Sequence, residues 1–442
     1  MAAPVLPDSD VQTFRVLVLP GDHVGPEVMT EAIRVLDVVQ ASSEGKVKFQ
    51  YNWQIAGGCS IDKHGTPITD EVLRIAKEES DAVLFGSVGG PKWGTAQPNP
   101  ESGLLRLRRH LDAFANVRPC TFYSKSLIPL SPLKPEIAEG TNFIVLRENC
   151  SGAYFGEKVE EADHASDSWA YTRDEIERCA RVAAALATTM GKDGLGTGQC
   201  SDGPATVWSS DKANVLASGR LWRKVTTEVF GKEFPHIDLK HQLADSLSML
   251  MVKNPRGFNG IIHTDNTFGD MLSDQAGGVV GTLGVLPSAS LCGIPDGGRC
   301  NGIYEPVHGS APDIAGRGIV NPTAQILSAA MMLRYSFGLA QEATAIENAV
   351  EKVLDGKDIG GLEIRSGDLG GRATTKEMGD AVCSVLEQIL KGNSTGVPKD
   401  TNGNADKLVS PVHETHSQEN KKWEKLLKEE HVPTGPQESL AL

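Results

Sequence analysis

The sequence has no surplus of positive charge: 43 Lys and Arg stand against 57 Asp and Glu in 442 residues, a formal net charge of −14. Non-specific nucleic-acid binding needs a basic surface, so that class is excluded. No run of about 18 apolar residues occurs, so nothing reads as a membrane-spanning helix. Residues 1–10 have neither a basic region nor an apolar core, and the closing Ser439-Leu440-Ala441-Leu442 is not a peroxisomal ending. The cytosol is therefore the expected compartment. The eight cysteines (Cys59, Cys120, Cys150, Cys179, Cys200, Cys292, Cys300 and Cys383) show no CxxC or CxH spacing. They read as reduced thiols rather than as a disulfide framework or a zinc site. There is no internal repeat with a period of about 20–50 residues. No GxGxxG follows a predicted strand, so the usual dinucleotide fingerprint is missing too. What is there is ordinary for a soluble enzyme: 40% hydrophobic, 23% charged, and 47 glycines that imply many tight turns. The length suits two domains or one large α/β domain with insertions.

Along the chain, strands alternate with helices. Phe14 to Leu19 is an apolar, β-branched run closed by Pro20-Gly21. Pro26 then stands at a first-turn position ahead of Val28, Met29, Ala32, Ile33, Leu36 and Val39 at helical spacing. Ala82 to Phe85 predicts a strand running into glycines, and Phe143 to Leu146 another. Thr172 with Glu175 forms a capping box for a helix through about Thr189. Gly260 to His263 predicts a short strand, with a helix from Phe268. This alternation implies an α/β fold with a largely parallel sheet. Residues 191–204 read as a glycine-rich surface loop. From Gly392 the chain turns polar and reads as a disordered or loosely docked tail, with a partner-binding role the less common alternative.

An acidic enzyme binds an anion only through a local cluster of cations. Arg108, Arg118 and Arg147 are the candidates, because a guanidinium fork grips a carboxylate with two bonds. Each alone is more often a solvated surface charge. Arg147 is the least ordinary, ending an apolar strand where α/β folds place their ligands. Asp270 and Asp274 lie four residues apart on a predicted helix, so both carboxylates share one face and repel unless a cation joins them. Asp245 sits among apolar residues on another predicted helix and needs a partner if buried. Three such carboxylates suit Mg²⁺ or Mn²⁺; the alternative, equally weighted on spacing alone, is two solvated aspartates and a salt-bridged third. Lys212, close to other charges, is a candidate general base, though a plain surface lysine is commoner. Tyr154 between glycines could donate a proton, though such tyrosines are more often simply packed. Asp313, in a turn of small residues, could accept both ribose hydroxyls of NAD and would repel the extra phosphate of NADP.

In order along the chain come GDHVGPEV, LFGSVGGPKW, ESGLLRLRR, NVRPC, VLREN with AYFG, DKANVL, LADSLSM, FGDMLSDQAG, LGVLPSAS, the long YEPVHGSAPDIAGRGIVNPTAQILSAAMML and RSGDLGG. Over about residues 12–390 this order resembles the 3-isopropylmalate dehydrogenases, particularly the fungal form, in the isocitrate/isopropylmalate dehydrogenase family. The resemblance implies a two-domain fold of that family. Domain one would be residues 1–113 and 281–391 and bind cofactor. Domain two would be 114–280, with substrate, metal and dimer contacts, and 392–442 would stay outside as the tail. It implies that Arg108, Arg118 and Arg147 hold the substrate carboxylates, and that Asp245, Asp270 and Asp274 hold Mg²⁺ or Mn²⁺. Lys212 would deprotonate the C2 hydroxyl as hydride passes to NAD, and Tyr154 would protonate the enol. Leu104, Leu105 and Val215 would form an apolar pocket. Glu101 would face the nicotinamide, and His308, Gly309, Ser310, Ala311, Asp313 and Asn321 would meet the cofactor. It further implies a homodimer in which Lys212 and Asp245 enter the neighbour's site.

The implied reaction is NAD-dependent oxidative decarboxylation of (2R,3S)-3-isopropylmalate in leucine biosynthesis. The competing reading keeps the chemistry but moves it to another 3-substituted malate in a specialised pathway. One methylene in an apolar pocket changes discrimination by only about 1–3 kcal/mol, so Leu104 and Leu105 favour an apolar substituent without fixing its size. A non-catalytic regulatory subunit is a third reading, disfavoured because every matched position is present. The 191–205 insertion and the tail lie outside the common pattern and touch no matched catalytic position.

Overall fold

The structure, a computed structural model, describes residues 11–94, 97–193, 203–295 and 300–394. Its strands are β1 (Gln12–Gly21), β2 (Val47–Trp53), β3 (Ala82–Ser87), β4 (Ala115–Thr121), β5 (Asn142–Glu148), β6 (Lys158–Glu160), β7 (Ala165–Asp167), β8 (Val207–Asp211), β9 (Leu239–Leu243), β10 (Gly260–Thr264), β11 (Pro287–Leu291) and β12 (Gly302–Pro306). The α-helices are α1 (Gly25–Ser42), α2 (Gly58–His64), α3 (Asp70–Arg74), α4 (Pro100–Leu111), α5 (Pro135–Ala138), α6 (Arg173–Asp193), α7 (Ala217–Glu233), α8 (Ala244–Lys253), α9 (Asn266–Val280), α10 (Thr323–Tyr335), α11 (Ala340–Leu354) and α12 (Thr375–Ser394). No helix among the described residues is long and apolar enough to cross a membrane.

Local chemistry explains several of these elements. Pro26 stands in the first turn of α1, where its missing N–H is unpaired in any case. The capping box at α6 is formed in both directions: Glu175 accepts the Thr172 N–H at 2.7 Å, and Thr172 Oγ1 accepts the Glu175 N–H at 3.4 Å. α6 runs on to Asp193 rather than stopping near Thr189, so the first three residues of the expected 191–204 loop are helical; 194–202 lie outside the described residues. α12 likewise continues through Gly392 to Ser394, three residues into the expected tail, whose remainder, 395–442, lies outside the description. α9 starts at Asn266, two residues before expected, because the Asp265 carboxylate caps it by accepting the Phe268 N–H.

The large sheet has the order β2-β1-β3-β12-β11-β4-β5-β10-β8-β9, and β6 and β7 pair separately. Ladders β1–β2, β1–β3, β3–β12, β5–β10, β10–β8 and β8–β9 are parallel. The sheet is thus largely parallel, as the sequence implied. Its middle is not: β11–β12, β11–β4 and β4–β5 are antiparallel. The first five strands in this order come from residues 12–87 and 287–306, and the last five from 115–264. They meet at the short β11–β4 ladder of Ala289–Val117, Ser290–Asn116 and Leu291–Ala115. A polar stitch crosses this seam. Asn116 Nδ2 donates to Ser288 Oγ at 2.9 Å and Ser290 Oγ at 3.0 Å, and Asn149 Nδ2 reaches Ser290 Oγ at 3.3 Å.

α10 is buried at every position, from Thr323 to Tyr335, and packs against β11, β12, α1 and α11. A helix covered on all sides suits its near-continuous apolar sequence. The parallel strands β5, β10, β8 and β9 end on one edge, and the residues that follow them carry the chemistry described next.

Candidate active site

Three of the implied residues are tied together by one carboxylate. Arg147, on β5, has a side chain only 4% exposed. Its Nη1 donates to Asp270 Oδ1 at 2.5 Å, while Nε and Nη2 both donate to Asn266 Oδ1, at 3.0 and 2.7 Å. Tyr154 Oη donates to the other oxygen of Asp270 at 2.8 Å, with the Arg147 guanidinium over its ring at 5.4 Å. Arg118 Nη1 lies 3.1 Å from Asp274 Oδ1 and 3.9 Å from Asp270 Oδ1, and donates to Ser273 Oγ at 2.8 Å. The aspartates on α9 therefore turn to one side, as their spacing implied, and point at one cationic nitrogen. Gly269 makes this approach possible: a Cβ there would stand 2.6 Å from Arg147 Cγ.

Burial sets the electrostatics. It pushes the Arg147 guanidinium down to about 10, with Arg118 beside it adding repulsion. Arg118 is lowered by burial and then by Arg108. Three guanidiniums that repel one another in a sheltered place favour an anion between them. Tyr154 is raised, first by burial and then by its hydrogen bond to Asp270, so it holds its proton at neutral pH.

Arg108 is anchored differently. It projects from α4 and donates to Glu305 Oε1 on β12 at 2.5 Å, both side chains being nearly buried. Leu104 and Leu105 lie on the same helix, half-buried, and Leu104 packs on the apolar cluster around Phe85 and Leu107. Glu101, exposed at the start of α4, reaches Gly89, where a Cβ would stand 2.5 Å from Glu101 Oε1.

Lys212 and Asp245 form a second group. Ladder β8–β9 pairs Asp211 with Leu243, which brings the residues just beyond both strands side by side. Lys212 Nζ stands 2.7 Å from Asp245 Oδ2. The Asp245 carboxylate is 66% exposed, not buried as its apolar neighbours suggested, because the helix turns Leu247 and Met251 inward and Asp245 out. The Lys212 contact holds it below the usual carboxylate range. Val215, 63% exposed, follows Lys212 on the same loop. Among the described residues no three His, Cys, Asp or Glu side chains gather into a metal group. One chain brings Asp270 and Asp274 together and leaves Asp245 with Lys212. Met249 and Val252 on α8 and Met271 on α9 are exposed apolar side chains, on helices joined by Ser248 and Gln275.

The His308–Asp313 segment leaves β12 on the edge where β3 also ends. Ser310 is buried, donating to the Gly89 carbonyl at 2.9 Å, and its own carbonyl accepts the Val24 N–H at 3.1 Å. Ala311 is held at φ +38, a conformation that costs a residue with a Cβ roughly 1–2 kcal/mol. His308 Nε2 is buried with no partner among the described residues, and beyond Gly309 lies open space. Asp313 is exposed. Asn321 donates to Asp368 at 3.0 Å and accepts the Thr323 N–H.

The site also contains residues that the sequence reading missed. Glu305 pairs with Arg108, Asn266 holds two arms of Arg147, and Asn116 Oδ1 accepts Arg118 Nε at 2.8 Å. Asp22 accepts the N–H groups of Gly58, Cys59 and Gly89, tying the turn after β1 to the loop after β3. Asn266 stands three residues past the predicted strand Gly260–His263, at the start of α9, where no local pattern singles it out.

Residues 15–382 match the isocitrate/isopropylmalate dehydrogenase family model. The chain belongs to the isocitrate/isopropylmalate dehydrogenase family. A 3-isopropylmalate dehydrogenase of Hapsidospora chrysogena is 63% identical over 381 residues, covering 86% of this chain and 98% of that protein. Another of that name, from Schizosaccharomyces pombe, is 50% identical over 380 residues, covering 85% and 99%. Among solved structures, isocitrate dehydrogenase from Methylococcus capsulatus superposes with a TM-score of 0.70 at 30% identity, over 85% of this chain and all of that one. A beta-decarboxylating dehydrogenase from Thermococcus kodakarensis, in its apo form, gives 0.67 at 33%, over 87% and 100%. The family's dehydrogenases act on small dicarboxylates, and converging guanidiniums have the chemistry to grip a carboxylate.

Proposed function

We propose that this member of the family oxidises (2R,3S)-3-isopropylmalate with NAD and releases CO2 and 4-methyl-2-oxopentanoate, the dehydrogenase step of leucine biosynthesis. The observation that carries the reading is the joint hold of Arg147, Arg118 and Tyr154 on the Asp270–Asp274 pair. The names of relatives at 50–63% identity over most of the chain support the substrate. Leu104 and Leu105 on the arginine-bearing helix support an apolar 3-substituent.

In this reading Arg108, Arg118 and Arg147 grip the carboxylates. Lys212 takes the C2 hydroxyl proton, and Tyr154, a phenol hydrogen-bonded to Asp270, returns a proton to the product carbon. Asp270 and Asp274 fit a divalent cation such as Mg²⁺ or Mn²⁺, since their oxygens converge where a guanidinium nitrogen already sits. Asp245 of a second copy would complete the set, and the chemistry supplied there is Lewis-acid polarisation of the substrate oxygens. NAD, as hydride acceptor, fits the 308–313 loop: His308 Nε2 is an unanswered buried polar atom, Gly309 leaves room, and Asp313 offers a carboxylate to a ribose. Glu101 and Asn321 would border the same cofactor. We take residues 1–113 and 281–391 as the cofactor domain and 114–280 as the domain of substrate, metal and dimer contacts. The exposed apolar faces of α8 and α9 support a homodimer that delivers Lys212, Asp245 and Val215 to the neighbouring site.

The test is a panel of 3-substituted malates with purified protein, NAD and Mg²⁺. The highest kcat/KM is expected for 3-isopropylmalate, with complete loss in excess chelator. Higher kcat/KM for isocitrate or for a malate with a large aromatic substituent would overturn the substrate, and turnover in chelator the metal.

A further inference from the structure

A lysine side chain is a flexible four-carbon stem, so where its amine acts depends on how firmly its backbone is held. Lys212 is the first residue beyond β8, and the residue before it does the holding. The Asp211 side chain is 1% exposed. Its Oδ1 accepts the Ala213 N–H at 2.9 Å, closing a turn around Lys212. The same carboxylate meets the Arg223 guanidinium side-on, Oδ2 with Nε at 2.9 Å and Oδ1 with Nη2 at 3.0 Å. The Lys212 carbonyl accepts the N–H groups of Val215 and Leu216 at 3.1 and 2.9 Å. Gly219, one turn before Arg223 on α7, presses on that peptide: a Cβ there would stand 2.8 Å from the Lys212 carbonyl carbon and 2.9 Å from the Ala213 nitrogen.

α7 does not need this ion pair to stay docked, because Trp222, Val225, Val229 and Phe230 already bury its apolar face. An ion pair whose arginine is 37% exposed is in any case weak evidence for stability. Its location is what is informative. It bolts α7 to the strand end that launches Lys212, and the β8–β9 ladder at the same level launches Asp245.

We infer that Asp211 and Arg223, with the close approach of Gly219, are positioning residues for Lys212. They fix its peptide so that the amine meets the Asp245 carboxylate and the substrate hydroxyl at one place. The inference rests on the reading of Lys212 as the proton acceptor.

Arg223→Gln and Gly219→Ala test it, each alone and combined with Lys212→Ala, in the full-length enzyme. A displacement of order 1 Å at a catalytic group costs about a hundredfold, so Arg223→Gln is expected to lower kcat by roughly tenfold to a hundredfold. KM for 3-isopropylmalate and NAD should move by less than about threefold. The isotope effect with substrate deuterated at C2 should rise as the chemical step becomes limiting. Gly219→Ala drives a Cβ against the Lys212 and Ala213 backbone, so it should lose kcat, read well below its thermal midpoint, and that midpoint should fall as well. In Lys212→Ala, adding Arg223→Gln should change the residual rate by less than about twofold, because its effect runs through the missing amine. Equal losses with and without Lys212, or a Gly219→Ala enzyme with full kcat, would overturn the inference alone. Normal turnover by Lys212→Ala would overturn the base reading, and the inference with it.

Discussion

Arg147→Lys keeps a positive charge on β5 and removes the fork, which isolates what the fork does. In the folded chain the guanidinium spreads three bonds over two acceptors, Asp270 and Asn266, while 4% exposed. A lysine amine set back along the same path reaches one of these acceptors. If it follows Asp270, Asn266 Oδ1 loses both donors, and a buried acceptor left unanswered costs about 1–3 kcal/mol of stability. The same loss of a second arm applies to the substrate carboxylate. One charge-assisted bond is worth about 1.5–3 kcal/mol, or roughly tenfold to 150-fold in affinity. Lysine also starts from a lower ordinary pKa than arginine, and the burial that lowers Arg147 would carry part of the lysine population to neutrality. The expected outcome is a fall of at least about thirtyfold in kcat/KM for 3-isopropylmalate, with the KM for NAD nearly constant and a lowered thermal midpoint. NADH formation under saturating Mg²⁺ measures the first, and a melting curve the last. A variant with kcat/KM within twofold of the wild type would refute the assignment of Arg147 to the substrate carboxylate.

Met249→Glu places a charge on the apolar face shared by α8 and α9, so the chain should run as a monomer and lose turnover together; a fully active monomer by light scattering would refute the shared site. Asp313→Ala should raise the ratio of NADP to NAD activity by more than about tenfold, since a carboxylate facing an added phosphate is repelled; an unchanged ratio would remove Asp313 from the ribose position. His263 is fully buried on β10 against Trp222, and burial pushes it down to about 3. Folded chains keep it neutral, whereas unfolded chains protonate it in the ordinary histidine range. Its contribution is therefore complete above that range and is lost as pH falls towards 3, by up to roughly 1.4 kcal/mol per pH unit. Relative to His263→Phe, which has nothing to titrate, the wild type should lose stability below about pH 6.5, and parallel denaturant curves would refute this.

Local signals were readable in the sequence and distant ones were not. The Thr172–Glu175 box and the α9 aspartates are interactions within one helical turn, so spacing alone predicts them. Arg147 was legible because a charged residue closing an apolar strand has only the strand end to occupy. Glu305 lies 197 residues from Arg108, and Asn266 119 from Arg147, separations that no local pattern encodes. The antiparallel strands at the sheet centre escaped for a related reason: a buried strand is apolar whichever way its neighbours run. Asp245 is exposed and salt-bridged to Lys212, one of the two readings its spacing left open, because its apolar neighbours in sequence turn to the other side of the helix.

Where β11 meets β4, the two ends of the sheet are joined through amides and hydroxyls on short side chains as well as through the buried Val117, Ala289 and Leu291. The amide of Asn116 serves this joint and Arg118 at once. A change at Asn116 therefore reaches the seam and the guanidinium cluster together.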